Sequence, residues 1–397
     1  MVDAAAGARY RIPLLGALTA LGSLAIHMFV PAMPLAAKAL HAPPAELELT
    51  LTVYLVGIAV GQIATGPLSD RFGRRPVLLS GATLFVLGSG LCCAAISIEM
   101  LLVARVVQAL GASCGLVAAR AIVGDLGDSR GAGDMALLTA IVMLSPMLAP
   151  IIGSGIASLA GWRAIFAILA AAGFLCGSAI LLWIPETVRR SQGVTPNLIA
   201  DWKAVAGSRV YRRNLSLGLC VSAGLYIFLA GSPFLFVSFY HVAPRRIGLL
   251  YGIVASGAGV GALIASRLAT RVSARHLILT GATLLVIAAS VMLVSALIGT
   301  ASVAALIVPM ALYALGGGLV TPNAMMAAVG ANPGRIGTAV SLYGAIQMAG
   351  NALATLLVAS MSVRSPLVIA TAIIMLALIA LWLARGAIPA VVSTEIG

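Results

Sequence analysis

The chain has 397 residues, 61% of them hydrophobic and only 9% charged, with a mean hydropathy of +1.11. A soluble domain carries about 25% charged residues, and so little charge cannot cover the surface of a water-soluble protein this long. The net charge is +13, from 24 Lys+Arg against 11 Asp+Glu, a balance that suits either nucleic acid or the inner loops of a membrane protein.

Apolar runs set off by charge or by Pro/Gly clusters fall at 12–35, 47–69, 76–97, 100–124, 135–158 and 161–184. After a more polar stretch from Pro185 to Arg213 they resume at 214–238, 247–269, 276–298, 302–324, 335–360 and 365–385. Each run is long enough to cross a bilayer, which takes roughly 20 residues as a helix. None alternates as a barrel strand would, so all are predicted helices. The expectation is an all-α polytopic membrane protein: a six-span half at 1–184, a cytoplasmic linker at 185–213 and a second six-span half at 214–397. The first run reads as a retained span rather than a cleavable leader. Cys92, Cys93, Cys114, Cys176 and Cys220 lie in apolar stretches without CxxC spacing, which argues against a disulfide scaffold and a metal site.

Charge gives the orientation. With the N-terminus inside, the inner segments hold 17 of the 24 Lys and Arg and the outer loops hold 5, while Arg105 and Arg120 lie within a span. That asymmetry places both termini in the cytoplasm and accounts for the basic balance without nucleic acid. A repeat offset by 200 residues supports two halves: Gly57, Val60-Gly61, Arg71, Arg75 and Gly81-Ala82-Thr83-Leu84 recur at Gly257, Val260-Gly261, Arg271, Arg275 and Gly281-Ala282-Thr283-Leu284. Two parallel six-helix halves with a substrate site near mid-membrane form one large transporter class.

Gly66-Pro67-Leu68-Ser69-Asp70-Arg71-Phe72-Gly73-Arg74-Arg75 joins spans 2 and 3. Its glycines allow a tight turn, and its charges read as a positive-inside loop or as a conformational switch. In a switch, Asp70 would pair with an arginine or with the positive end of a neighbouring helix. Arg105 lies inside span 4, where a charge costs about 2.5–3.5 kcal/mol on insertion scales and therefore faces a cavity or a partner. It either takes part in the working cycle or donates hydrogen bonds to Gln108 and nearby carbonyls. Arg120 is expected to snorkel or to pair with Asp125. Span 5 packs Pro146, Pro150, Gly153 and Gly155 within about three turns, which bends a helix and lets another approach closely.

The decapeptide, with Pro76-Val77-Leu78-Leu79 after it, resembles the signature loop of the major facilitator superfamily. Arg105-Val106-Val107-Gln108-Ala109 resembles the family's Arg-x-x-Gln-Gly motif, with Ala109 in place of a glycine. Pro146-Met147-Leu148-Ala149-Pro150-Ile151-Ile152-Gly153-Ser154 is similar to its antiporter motif, with Ser154 for a glycine. Gly161-Trp162-Arg163-Ala164-Ile165-Phe166 and Pro185-Glu186-Thr187 add a likeness to the bicyclomycin/chloramphenicol resistance (Bcr/CflA) branch of drug:proton antiporters. The resemblance implies a switch built on Gly66, Asp70, Arg71, Gly73, Arg74 and Arg75, a coupling or sealing role for Pro146, Pro150 and Gly153, and a part for Arg105 in proton coupling.

Span 1 departs from that pattern. Its Ala25-Ile26-His27-Met28-Phe29-Val30-Pro31 resembles a family segment reading Asp-Met-Tyr-Leu-Pro, with His27 where the acid stands. None of the eleven acids falls in the middle of a predicted span. His27 is thus the candidate proton carrier together with Arg105, or a neutral histidine bonded to a carbonyl in a protein with weak or no proton coupling. With nothing negative left to hold a cation, neutral or anionic compounds are the expected substrates. Candidate cavity residues are Tyr54, Gln108, Met143, Tyr226, Phe234, Phe236, Tyr313, Asn323, Tyr343, Gln347 and Asn351. Tyr343, Gln347 and Asn351 recur at i, i+4 and i+8, a polar stripe that lines a cavity or joins helices.

No paired nucleophile and base, no metal-ligand spacing and no Gly-x-x-x-x-Gly-Lys-Ser/Thr loop is present, so neither an enzyme nor an ATP-driven pump is expected. The expected protein is an exporter in the bacterial inner membrane, monomeric and without a cofactor. It would move hydrophobic small molecules such as phenicols by alternating access, with the proton gradient as the energy source. The alternative is an exporter or facilitator of one metabolite with little or no coupling.

Overall fold

The computed structural model describes residues 3–125, 131–184, 186, 198–300, 302–361 and 365–386, with the side chains of 3–11, 120, 123–125, 131–136, 138–139 and 198–199 outside that description. The first helices in chain order are α1 (Asp3–His27), α2 (Met33–Leu40), α3 (Pro44–Phe72), α4 (Arg74–Cys93), α5 (Ile98–Asp125), α6 (Gly131–Ala160) and α7 (Trp162–Trp183). They are followed by α8 (Leu198–Gly207), α9 (Arg209–Ser238), α10 (Pro244–Leu268), α11 (Ala274–Leu297), α12 (Ala304–Gly330), α13 (Ile336–Ser360) and α14 (Pro366–Arg385). Among the described residues there is no strand, and 12 segments are long and apolar enough to cross a membrane. Large apolar side chains such as Phe174, Leu175, Leu182 and Trp183 stand exposed on α7, a surface that hydrocarbon solvates and water does not.

Every predicted span is a helix, with two differences. The first span is broken: α1 stops at His27, Val30–Ala32 make a single 3-10 turn, and α2 carries the chain on to Leu40. Pro31 and Pro34 occupy first-turn positions of the two new segments. There a missing N–H goes unneeded, whereas inside one continuous helix each proline would remove a hydrogen bond. The second difference is in the polar stretch after α7. Residues Leu198–Gly207 form α8, and the seventh span starts at Arg209 rather than 214.

Two glycines make the sharpest connections. Gly73 (φ 100°) turns α3 into α4 and Gly161 (φ 80°) turns α6 into α7, conformations open to glycine and strained for other residues.

The chain forms two compact units. One comprises Met1–Val194, Leu229–Gly252 and Ala352–Val363, and the other comprises Thr195–Phe228, Ile253–Asn351 and Arg364–Gly397. In the first, α5 is central, packed by α3, α4 and α1, while α7 lies on α4 and α6 on α1. In the second, α11 packs on α12 and α14. There α8 is pinned by the Arg335–Asp201 ion pair at 2.7 Å, and its Val205 joins a core of Tyr211, Leu215, Ala328, Ala339, Leu342 and Tyr343.

Candidate functional site

Arg105 organises the first unit. Its position on α5 aims the side chain at α1, and it is fully buried. One guanidinium nitrogen, Nη1, donates to the Ala25 carbonyl at 3.1 Å and to Gln108 Oε1 at 2.7 Å. Gln108 in turn donates through Nε2 to Ser89 Oγ at 2.8 Å, and Ser89 donates to the Phe85 carbonyl. The guanidinium carbon lies 4.1 Å from the Tyr54 ring centre, 5.4 Å from Phe29 and 5.7 Å from Phe166. Tyr54 is held by its own hydroxyl, which donates to the Gly22 carbonyl at 3.0 Å. Phe29, Phe166 and Trp162 stack on one another with centroids 5.0–6.3 Å apart.

A cation over aromatic faces gains up to about 2 kcal/mol when desolvated, and a hydrogen bond from a charged donor about 1.5–3 kcal/mol. Together these match the cost of placing an arginine in the bilayer interior, about 2.5–3.5 kcal/mol. The cage therefore keeps Arg105 charged without a carboxylate. Its Nε and Nη2 have no hydrogen-bond partner among the described residues.

The break in span 1 borders this cage. Ala25, which accepts from Arg105, precedes His27 by two residues, and Phe29 of the cage follows it by two. His27 is part-buried at the end of α1, with Nδ1 2.8 Å from the Ser23 carbonyl and 3.2 Å from Ser23 Oγ. It shares no hydrogen bond with Arg105. Behind the break stands α6: a Cβ on Gly153 would meet the backbone of Met28. Pro146 and Pro150 lie within the same helix. Its next neighbour is α10, where a Cβ on Gly248 would meet the Pro150 carbonyl and one on Gly252 would meet Ile151. The sequence motif of span 5 is thus a smooth surface pressed on two helices, while Gly155 meets nothing within 4 Å.

At the other end of α3, Asp70 pairs with Arg74 Nη1 at 2.6 Å, and the same nitrogen donates to Ser69 Oγ at 3.1 Å. Glu186 supplies a contact that no spacing in the loop reveals. Its carboxylate accepts from the backbone N–H groups of Arg74 (3.0 Å) and Arg75 (3.2 Å), capping the positive end of α4. A Cβ on Gly73 would collide with that carboxylate. Arg75 also donates to the Leu181 carbonyl at 2.6 Å, Arg71 lies over the Phe72 ring, and a Cβ on Gly66 would meet none of the described residues within 4 Å. Pro185 and Thr187 of the same motif lie outside the described residues, as do the side chains of Arg120 and Asp125.

In the second unit, the span 11 stripe faces α9. Tyr343 is buried against Gly218, Gln347 Nε2 donates to the Gly218 carbonyl at 3.4 Å, and Asn351 Oδ1 accepts from Ser222 Oγ at 2.8 Å. The Tyr343 hydroxyl and Asn351 Nδ2 have no partner among the described residues. Tyr226 is half-buried on the same helix. Tyr313 bonds to the Val221 carbonyl, and Asn323 to the Leu319 carbonyl of its own helix. In the first unit, Phe236 packs on Tyr251 with centroids 5.7 Å apart, Phe234 is half-buried and Met143 is 57% exposed on α6. These residues thus fall into separate groups in two units.

One reading is corrected. Sequence reasoning left no negative group in the interior, but Glu48, in the second turn of α3, is 1% exposed and its Oε2 has no partner. The available signal was its position inside a predicted span, one turn from buried Thr52. Among the described residues no group of His, Cys, Asp and Glu could hold a metal ion.

Residues 15–354 match the family model of the Major Facilitator Superfamily. The chain is 33% identical to the uncharacterized MFS-type transporter YdgK of Bacillus subtilis, over 84% of this chain and 85% of that one. It is 31% identical to a chloramphenicol resistance protein of Pseudomonas aeruginosa over 76% and 72% of the two chains. It is also 30% identical to multidrug resistance protein D of Escherichia coli over 88% and 87%. In fold it is similar to the crystal structure of a D-xylose–proton symporter, with a TM-score of 0.72 at 16% identity, covering 94% of this chain and 97% of that one.

Proposed function

The chain belongs to the major facilitator superfamily, and from that premise we propose that it exports hydrophobic drugs from the bacterial cytoplasm by proton antiport. Family membership makes it a multi-pass membrane transporter and not an enzyme, and its relatives support the Bcr/CflA branch. The substrates we assign are neutral or weakly charged compounds such as phenicols. The observation that carries the reading is the aromatic and arginine cluster beside a broken first span. Interrupted helices mark substrate and ion sites in transporters.

The same reading assigns the inner membrane, cytoplasmic termini, a monomer, and functional halves at 1–184 and 214–397 joined by 185–213. Asp70, Arg71, Gly73, Arg74 and Arg75 then serve as the switch, because one partly exposed ion pair and one helix cap are weak enough to part during a cycle. The second reading, a facilitator with little coupling, is favoured by His27, whose ring is tied to the Ser23 carbonyl rather than to Arg105.

Uptake of labelled chloramphenicol into proteoliposomes with an acidic lumen, compared with symmetric pH, tests the assignment. Accumulation above equilibrium only under the gradient is expected. Equilibration without accumulation selects the facilitator, and no uptake in either condition overturns the phenicol assignment.

A further inference from the structure

Glu48 is the only buried carboxylate among the described residues. Among the described residues it has no hydrogen-bond or ion-pair partner, and Oε2 is sealed from solvent. The charged and titratable groups of the elements packed on α3 leave it alone. Lys38 and His41 at the end of α2 are exposed. Arg105 on α5 is engaged with Ala25, Gln108 and its rings, and Glu99 is exposed. Cys92 of α4 and Cys114 of α5 form no bond to it, and Arg74 and Arg75 sit at the far end of α3. Glu46, its neighbour on α3, is half-buried.

One turn along the same face of α3, Thr52 Oγ1 lies 2.9 Å from Thr355 Oγ1 of α13. Both threonines are buried. The Ala352–Ser360 stretch of α13 contains no ionisable residue, so that stretch of the helix brings no counter-charge to this face.

We propose that Glu48 is the proton-exchanging acid of the transport cycle, and that the Thr52–Thr355 contact is the gate that closes over it. The inference rests on the transporter reading above and places the coupling acid on span 2, with span 1 carrying His27. An ionised carboxylate isolated in an apolar interior is unfavourable and takes up a proton instead. Closure of α13 on α3 therefore goes with a neutral carboxylic acid. When the threonine contact parts, α13 separates from this face of α3, water reaches the carboxyl and the O–H proton exchanges with solvent. A proton bound there travels as the neutral acid until the carboxyl meets the opposite solution and releases it. No other bond forms or breaks.

Dicyclohexylcarbodiimide, which attacks protonated carboxyls in apolar surroundings, reads this without any transport substrate. Full-length protein is labelled across a pH series and the adduct is located by peptide mass spectrometry. The expected result is an adduct on Glu48 that falls about tenfold or more from the lowest to the highest pH of the series, is absent in Glu48→Gln and persists in Glu48→Asp. In parallel, Glu48→Gln in proteoliposomes is expected to exchange chloramphenicol at symmetric pH while its gradient-driven accumulation falls about tenfold. Absence of a Glu48 adduct, labelling independent of pH, or wild-type accumulation by Glu48→Gln overturns the proposal. If wild-type protein does not move chloramphenicol at all, the phenicol reading falls and the labelling alone decides for or against Glu48.

Discussion

In the first unit, Gly57 and Gly61 let α3 close on Ala109 and Ser113 of α5, and Gly81 lets α4 close on Gly111. In the second, Gly257 and Gly261 do the same against Ala311 and Leu315 of α12, and Gly281 against Gly316. The two units share a framework of missing side chains, because close helix approach in a membrane depends on small residues. Their interiors differ. In the register that pairs Gly111 with Gly316, Arg105 corresponds to Met310 and Gln108 to Tyr313, all four buried. The packing recurs, but the matched helix carries a buried charge in one unit and none in the other. Packing constrains volume at each position, whereas polarity is free to diverge once partners exist.

The largest effect should come from the shared framework. Gly111→Leu would drive a side chain into the Phe85 backbone, and Gly316→Leu into the Gly281 carbonyl. Each is expected to destabilise by upwards of about 3 kcal/mol, seen as loss of the monodisperse peak on gel filtration. A well-folded Gly316→Leu would break the equivalence of the two units.

Next comes the difference between the interiors. Arg105→Met, which installs the residue found in α12, leaves Gln108 Oε1 and the Ala25 carbonyl without their donor. The expected cost is about 1–3 kcal/mol in thermal unfolding, with loss of transport. Arg105→Lys should not restore transport, since an ammonium cannot lie flat against Tyr54. Met310→Leu, by contrast, is expected to cost under about 1.5 kcal/mol.

Smaller still is the cap at Gly73. Glu186→Gln is expected to lower stability by about 0.3–1 kcal/mol and to change transport rate more than affinity. An effect on affinity alone would remove Glu186 from the switch. Gly66→Ala, whose Cβ meets nothing, should shift stability by less than about 0.5 kcal/mol. If it nonetheless abolishes transport, another conformation must bring a neighbour to Gly66.

The motifs were legible because each combines unusual residue types at short spacing: Asp70 with three arginines, Arg105 with Gln108, two prolines with Gly153. The Arg105–Gln108 bond follows from their placement at i and i+3 on one helix. Less legible was anything decided by residues far apart in the chain. Glu186 reaches back over a hundred positions to cap α4, and the rings around Arg105 come from α3, α7 and the break after α1. Glu48 escaped notice because hydropathy runs end gradually, so an acid near the start of a span reads as loop margin.

By itself the sequence determined the membrane, the number of spans, the repeat and the signature motifs, since these follow from how many apolar residues a bilayer needs and from local spacing. Only the tertiary structure decided where the first span breaks, how the Arg105 charge is accommodated without an acid, and that Glu48 is buried. Those outcomes depend on which side chains of separate helices meet, and burial is a property of the neighbours that a single position in the chain does not carry.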